Sequence, residues 1–335
     1  MRPGPTNTII DIAGVRVGNA HDETVKTGVT AVLADAPFTA SVHVAGGAPG
    51  TRETDLLDPS RTVDRIDALI LSGGSAFGLQ AAGGAQAVLH GMGRGYPVGP
   101  ARVPIVPAAI VFDLLNGGDK DWGDAPPYEA LGRRAVSEAS TSPPRLGSSG
   151  AGFGATTATL KGGLGSASAV LDDGTMIAAL VVVNAVGSAI MGSGPHFWAA
   201  PFEIGDEFGG LGLPDDLSEA TRLATKGGAP NPAENTTIAV VATDADLTKA
   251  EAKHLAVMAH DGFARAVWPA HTPFDGDLVF GMATATRSGP VDPTAMLRIG
   301  AAASAVMARA IARGVYLADP HPTDTQPAWS ARFGG

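Results

Sequence analysis

The clearest hydrophobic pattern lies toward the C-terminal end of the chain. Residues 237–243 read Thr-Ile-Ala-Val-Val-Ala-Thr, a β-branched apolar run of strand length. Thr248-Lys-Ala-Glu251 then forms a capping box that opens a helix running to about Val267. Residues 278–284 predict a strand, and 293–313 a long helix rich in Ala, Met and Ile. Upstream, strands are predicted over 29–33, 40–44 and 67–71. The last enters the turn Ser72-Gly73-Gly74-Ser75-Ala76-Phe77-Gly78, which opens a helical run to His90. A strand over 105–115 and a helix over 128–139 follow, then small-residue strands over 150–160 and 165–171 and a continuous apolar strand over 177–183. Glycine- and proline-rich loop signals collect in 193–235. There is no internal repeat, coiled coil or low-complexity tract.

Composition narrows the class. A length of 335 residues suits two domains or one large α/β unit. With 44% hydrophobic residues, 45 glycines and only 5% aromatics, the core is expected to be Ala, Val, Leu and Ile, with close backbone approaches at the glycines. A formal charge of -10 argues against nucleic acid or an anionic membrane as partner. The absence of cysteine excludes disulfides, thiolate metal sites and a Cys nucleophile. The eight histidines contain no His-Glu-x-x-His, and His254 and His260 do not share a helix face, so no metal is expected. Met1 to Ile10 lacks the apolar core of a signal peptide. The apolar stretch 176–192 carries Asn184 and is too short to span a bilayer. These features predict a cytoplasmic, soluble protein.

Three clusters carry candidate chemistry. Asn231-Pro-Ala-Glu-Asn235-Thr236-Thr237 places a polar step at the mouth of the apolar 237–243 run. Cleavage between Asn235 and Thr236 would free an α-amine beside the Thr236 hydroxyl, and that amine can serve as the hydroxyl's own base. The same residues also suit an ordinary turn feeding a strand. His271-Thr272-Pro273-Phe274-Asp275-Gly276-Asp277 puts two carboxylates around a glycine at a strand entrance, fit to orient an amine and a hydroxyl or to form a plain Asp-Gly turn. Asn184, just past a buried run, can donate to an oxyanion or simply satisfy a turn. Gly73–Gly78 lacks the Gly-Lys-Ser/Thr ending of a phosphate loop, and Ser75 misses the Gly-x-Ser-x-Gly elbow by one residue.

Asn235-Thr236-Thr237-Ile-Ala-Val-Val-Ala-Thr-Asp244, Asp275-Gly276-Asp277 and Val183-Asn184-Ala185-Val186-Gly187 together resemble the self-processing aminopeptidase family. That family includes the L-aminopeptidase/D-alanyl esterase-amidase, β-peptidyl aminopeptidases and endo-type 6-aminohexanoate-oligomer (nylon) hydrolases. The resemblance extends from about Gly14 to Gly314. It implies one four-layer αββα sandwich over 1–335, with the architecture of N-terminal-nucleophile hydrolases but different connectivity. It also implies autocleavage at Asn235/Thr236 into an α chain (1–235) and a β chain (236–335), and a homo-oligomer, a tetramer of αβ units.

By motif, Thr236 is the implied nucleophile and Asn184 an oxyanion donor, with Asp275 and Asp277 orienting the Thr236 amine and hydroxyl. Phe112, Asp113, Lys161, Gly74 and Ser75 are implied around the substrate pocket, Asp113 as a holder of a substrate amine. Thr236 with Asp275-Gly276-Asp277 sides with the nylon-oligomer branch rather than with the Ser nucleophile and Ser-x-Glu pair of the peptidase branch. Phe112 stands where that branch has Tyr, and its lysine falls on Thr159, near Lys161. The implied activity is hydrolysis of short peptides, amino-acid amides or ω-amino-acid oligomers, without cofactor or metal. The alternatives are an acyltransferase of the ornithine acetyltransferase type and a non-catalytic binding module.

Overall fold

The computed structural model describes residues 1–226 and 235–334. Eleven strands are seen among them: β1 (Val15–Asp22), β2 (Thr27–Val44), β3 (Thr51–Arg52), β4 (Arg65–Ser72), β5 (Tyr96–Val98), β6 (Ala101–Val103), β7 (Ala108–Ile110), β8 (Gly163–Val170), β9 (Met176–Asn184), β10 (Thr236–Ala245) and β11 (Leu278–Arg287). The helices are α1 (Ala81–Gly91), α2 (Tyr128–Ser137), α3 (Lys249–Ala264), α4 (Pro293–Tyr316) and α5 (Trp329–Phe333).

Strand β2 organises the molecule. Its first half pairs with β1 on one side and β4 on the other, while its second half pairs with β11. The register slips between Leu33 and Phe38, where Asp35, Ala36 and Pro37 are exposed. One long strand therefore belongs to two sheet layers. The first layer continues through β4, β7 and β3, and the second runs β11-β10-β9-β8. Expecting two strands at 29–33 and 40–44 missed this continuity, because the exposed Asp-Ala-Pro corner reads as a break.

Three separate cores fill the gaps between four layers. Ala68 and Ile70 of β4 and Val29 and Ala31 of β2 meet α1 and α2. The opposite faces of these strands, at Leu69, Leu71 and Val32, meet Ile238 and Val240 of β10 and Phe280 of β11. Ala239, Val241 and Val279 turn outward onto α3 and α4. Alternate residues of β10 thus enter two different cores, and a strand buried on both faces must be apolar throughout. Each large side chain buried there contributes about 1.5–3 kcal/mol. The layering is the expected αββα sandwich.

The helix ends follow their capping chemistry. Thr248 accepts from Glu251 N at the start of α3, and Asp292 accepts from Ala295 N at the start of α4, where Pro293 occupies the first turn. The small residues of β8 let α4 lie close, since a Cβ on Gly165 would sit 1.8 Å from Ala310 O. Among the described residues α4 alone is long and apolar enough to cross a membrane, and 78% of its apolar window is buried in the fold.

Other elements depart from the sequence pattern. Of 105–115 only Ala108–Ile110 is strand, because Pro104 and Pro107 lack the N–H a ladder needs. Residues 150–160 form no strand but a 3-10 turn, with Gly150 at φ +49° against Asn19 and Thr30. The β1 strand and the β5–β6 hairpin were not anticipated. The expected flexible lead-in at 231–234 lies outside the described residues, as does the preceding Gly227–Pro230 part of the loop-rich stretch.

Candidate active site

Thr236 is the first residue of β10, between β9 and β11 in the middle of the second sheet layer. It pairs with Asn184, the last residue of β9, and only 2% of its surface is exposed. The Thr236 hydroxyl donates to the Asn235 carbonyl oxygen at 2.5 Å. That oxygen also accepts the Gly276 N–H, at 2.8 Å. The carbonyl of the peptide bond expected to break therefore lies against a hydroxyl and a backbone donor. Gly276 was not anticipated as a donor; its position inside Asp275-Gly276-Asp277 was the available signal.

The carboxylates on either side of Gly276 are fixed by different partners. Asp275 forms a parallel bridge with Asn235 and accepts Val186 N (3.2 Å), Thr272 N (2.9 Å) and Thr272 Oγ1 (2.6 Å). Burial, followed by the charge of Asp277, pushes the Asp275 carboxyl up from its usual range. Asp277 accepts Thr237 N at 2.7 Å through Oδ1, and His271 N (3.1 Å) and Nδ1 (2.8 Å) through Oδ2. It thus holds the amide that immediately follows Thr236. A Cβ on Gly276 would come within 2.7 Å of both Thr236 Oγ1 and Ala48 O, so no larger residue fits without displacement.

Asn184 is fully buried and links this centre to a pocket. Its Oδ1 accepts Thr156 N at 3.0 Å and Lys226 Nζ at 3.1 Å, and its Nδ2 donates to Phe112 O at 3.0 Å. Phe112, Thr156 and Lys226 also line a cavity of about 250 Å³, together with Asn116, Thr325 and Gln326. The cavity therefore abuts the ladder position facing Thr236. Lys226 was missed from sequence; it is the last described residue before the Gly-Gly-Ala-Pro-Asn-Pro stretch.

The remaining expected pocket residues are arranged behind that wall. Asp113 borders the cavity, but Oδ2 accepts Thr27 Oγ1 (2.6 Å) and Oδ1 accepts Gly74 N (2.8 Å). Burial raises its pKa. Gly74 supports this carboxylate from the turn before α1, while the Ser75 amide donates to the Val111 carbonyl at 3.0 Å. Lys161 lies in a buried ion cluster in which Asp324 contacts Lys161 Nζ at 3.1 Å and Lys26 Nζ at 2.8 Å. Burial lowers the Lys161 pKa. No cluster of His, Asp or Glu suited to a metal occurs among the described residues.

A layered α/β sandwich with a buried Thr–amide step beside two carboxylates and a cavity fits a hydrolase of peptide or linear amide bonds. The chain belongs to peptidase family S58, whose model matches residues 7–326. An uncharacterized aminopeptidase of Mycobacterium tuberculosis H37Rv is 40% identical over 337 residues, covering 94% of this chain and 95% of that protein. The 6-aminohexanoate-oligomer endohydrolase of a Kocuria species is 30% identical over 290 residues, covering 84% of this chain and 76% of that protein. Two solved structures share the fold. The L-aminopeptidase D-Ala-esterase/amidase of Ochrobactrum anthropi has a TM-score of 0.70 at 22% identity, covering 98% of this chain and 92% of that one. A Burkholderia beta-aminopeptidase has a TM-score of 0.68 at 21% identity, covering 99% and 94%.

Proposed function

We propose that the chain is a self-cleaving N-terminal-threonine hydrolase. One observation carries this reading: the Thr236 hydroxyl and the Gly276 N–H converge on the Asn235 carbonyl oxygen, at 2.5 Å and 2.8 Å. In the precursor, Thr236 Oγ1 attacks the Asn235 carbonyl carbon. The peptide C–N bond breaks as the ester C–O bond forms, and the nitrogen takes up the hydroxyl proton. Water then hydrolyses the ester, leaving an α chain ending at Asn235 and a β chain beginning with the free amine of Thr236. Backbone and side-chain donors at such an oxyanion are each worth roughly 2.7–4 kcal/mol in other hydrolases.

In the mature enzyme the same hydroxyl attacks a substrate amide, and the Thr236 amine takes its proton. An α-amine with an ordinary pKa of about 7.7–8.0 suits that task near neutral pH. Asn184 contributes to holding the oxyanion, while Asp275 and Asp277 orient the new N-terminus. The acyl-Thr236 ester is then hydrolysed.

The substrate is a short peptide, an amino-acid amide or an ω-amino-acid oligomer that enters the cavity beside Asn184. The 6-aminohexanoate-oligomer relative supports the last of these, and Thr236 with the Asp-Gly-Asp segment agrees with it. A cytoplasmic location and a homo-oligomer of αβ units, as a tetramer, complete the proposal; they rest on composition and family resemblance. The intact mass of the purified protein tests its first step. Two fragments are expected, the smaller with N-terminal sequence Thr-Thr-Ile-Ala-Val. A stable full-length chain that hydrolyses amides would overturn the mechanism.

A further inference from the structure

Behind Asp277 runs a chain of imidazoles that the reaction outlined above does not use. His271 Nδ1 lies 2.8 Å from Asp277 Oδ2. Its other nitrogen, Nε2, lies 3.1 Å from His260 Nδ1, and His260 Nε2 lies 3.1 Å from the His43 carbonyl oxygen. The three residues come from the loop before β11, from α3 and from β2. His271 holds φ +56°, a left-handed backbone that few non-glycine residues adopt. A strained residue whose ring is hydrogen-bonded at both nitrogens is under strong positional constraint.

Donor and acceptor roles fix the protons along this chain. A carbonyl oxygen only accepts, so His260 Nε2 carries a hydrogen. In neutral His260 the Nδ1 is then an acceptor, and the hydrogen of the second link must come from His271 Nε2. One more proton lies between His271 Nδ1 and Asp277. The Asp277 carboxylate already accepts the Thr237 and His271 amides, so this proton stays on the ring. His271 is therefore an imidazolium facing a carboxylate.

We propose that His271, held doubly protonated between Asp277 and His260, is a positioning residue that keeps Asp277 charge-balanced beside Thr236. The proposal rests on Asp277 acting at the Thr236 amine. The electrostatic surroundings agree. Burial pulls the His271 ring down, but the Asp277 hydrogen bond and charge outweigh it and raise the pKa above the ordinary imidazole range. His260 is pushed down to about 4, chiefly by burial and then by His271, which keeps it the neutral acceptor. The other groups facing this chain are Asp275 from the same loop and His43 from β2, the latter with Lys253 of α3 beside it.

The consequence for chemistry is a matter of sign. An uncompensated Asp277 would stabilise the ammonium form of Thr236 and raise the pH at which it becomes a base. A balanced Asp277 orients the amine without holding its proton. The pair also lets Asp275 and Asp277 share one buried loop with less mutual repulsion than two bare carboxylates would have.

Three variants and a spectroscopic readout test this. Asn is tolerated at positive φ and can still donate to Asp277, but it carries no charge. His271→Asn should move the rising limb of kcat/KM toward alkaline pH by about one unit, which is tenfold in rate below the limb. His260→Leu, which removes the acceptor for His271 Nε2, should shift it in the same direction. His260→Gln, which can accept from His271 and donate to His43, should restore the original profile. Nitrogen-15 NMR of the imidazoles should show His271 with both ring nitrogens protonated at neutral pH in the unaltered protein and in His260→Gln. A neutral His271 at that pH, or identical profiles for His260→Leu and His260→Gln, would overturn the proposal. The NMR arm is independent of turnover. If Thr236→Ala still hydrolyses amides, the Thr236 reading fails while the spectrum still decides the state of His271.

Discussion

Thr236 and Asn184 face each other across the ladder between β10 and β9, the first residue of one strand against the last residue of its neighbour. The register is set by the apolar pairs that follow, Thr237 with Val183 and Ile238 with Val182. A slip of one residue would turn every β10 side chain into the wrong core. The packing of two cores therefore determines where the Thr236 hydroxyl is presented, and Asn184 is held opposite it by Thr156, Phe112 and Lys226.

The hydroxyl itself is the first thing to alter. Thr236→Ser keeps an oxygen at the same position and should still cleave and turn over substrate. Thr236→Ala should accumulate as one chain and show no amide hydrolysis, since the attacking group is gone. Denaturing electrophoresis and an amide-release assay on the two variants distinguish them.

Gly276→Ala probes the contact on the other side of the same carbonyl. The added methyl would meet Thr236 Oγ1 and Ala48 O, both at 2.7 Å. Overpacking of this kind costs about 1–3 kcal/mol. The variant should fold but process at least about tenfold more slowly, as the local shift pulls the Gly276 amide off the Asn235 oxygen. Following the loss of intact chain over time measures it, and an unchanged half-life would remove Gly276 from the site.

Asp324 tests the pocket from outside the chemistry. Its carboxylate links Lys26 and Lys161, each 2% exposed, and the adjoining Thr325 and Gln326 form one wall of the cavity. Removing one member of a buried ion cluster costs about 3–5 kcal/mol. Asp324→Asn should lower the melting temperature and raise KM more than it lowers kcat. Steady-state kinetics with a short amide substrate check the second part.

Acid stability carries the mark of His260. Its ordinary pKa is 6.5, and in the fold it is lowered to about 4. As pH falls from 6.5 toward 4, the unfolded chain takes up a proton at this ring that the folded chain does not, so stability is lost across that window. The loss is on the order of 3 kcal/mol. Urea titrations at pH 7 and pH 4 should show it in the unaltered protein, and it should be absent in His260→Gln.

Elements whose burial is uniform were legible in the sequence. Residues 238–242 of β10 and 177–183 of β9 are apolar at every step, because both faces are covered, and the Thr248 capping box sets the start of α3. The 150–160 segment misled because its small residues serve a tight turn against β1 and β2 rather than a ladder. Asp275 and Asp277 could be suspected from their spacing around a glycine. The link from Asp277 through His271 to His260 could not, because it joins a loop, a helix and a strand that only the tertiary fold brings together. Gly276 and Lys226 belong to the same class: their roles come from backbone geometry and a neighbouring strand, not from residue type.

The position of β10 also determines what a break before Thr236 would leave behind. The segment beginning at Thr236 supplies β10 and β11, which lie between β9 and β2 of the other piece. Two chains so interleaved would share the β2–β11 and β9–β10 ladders, and two of the three cores would draw on both pieces. Once cut, the protein would unfold as a dissociation. Refolding of each αβ unit would become a second-order step, whereas in Thr236→Ala, still one chain, the same step would be first order.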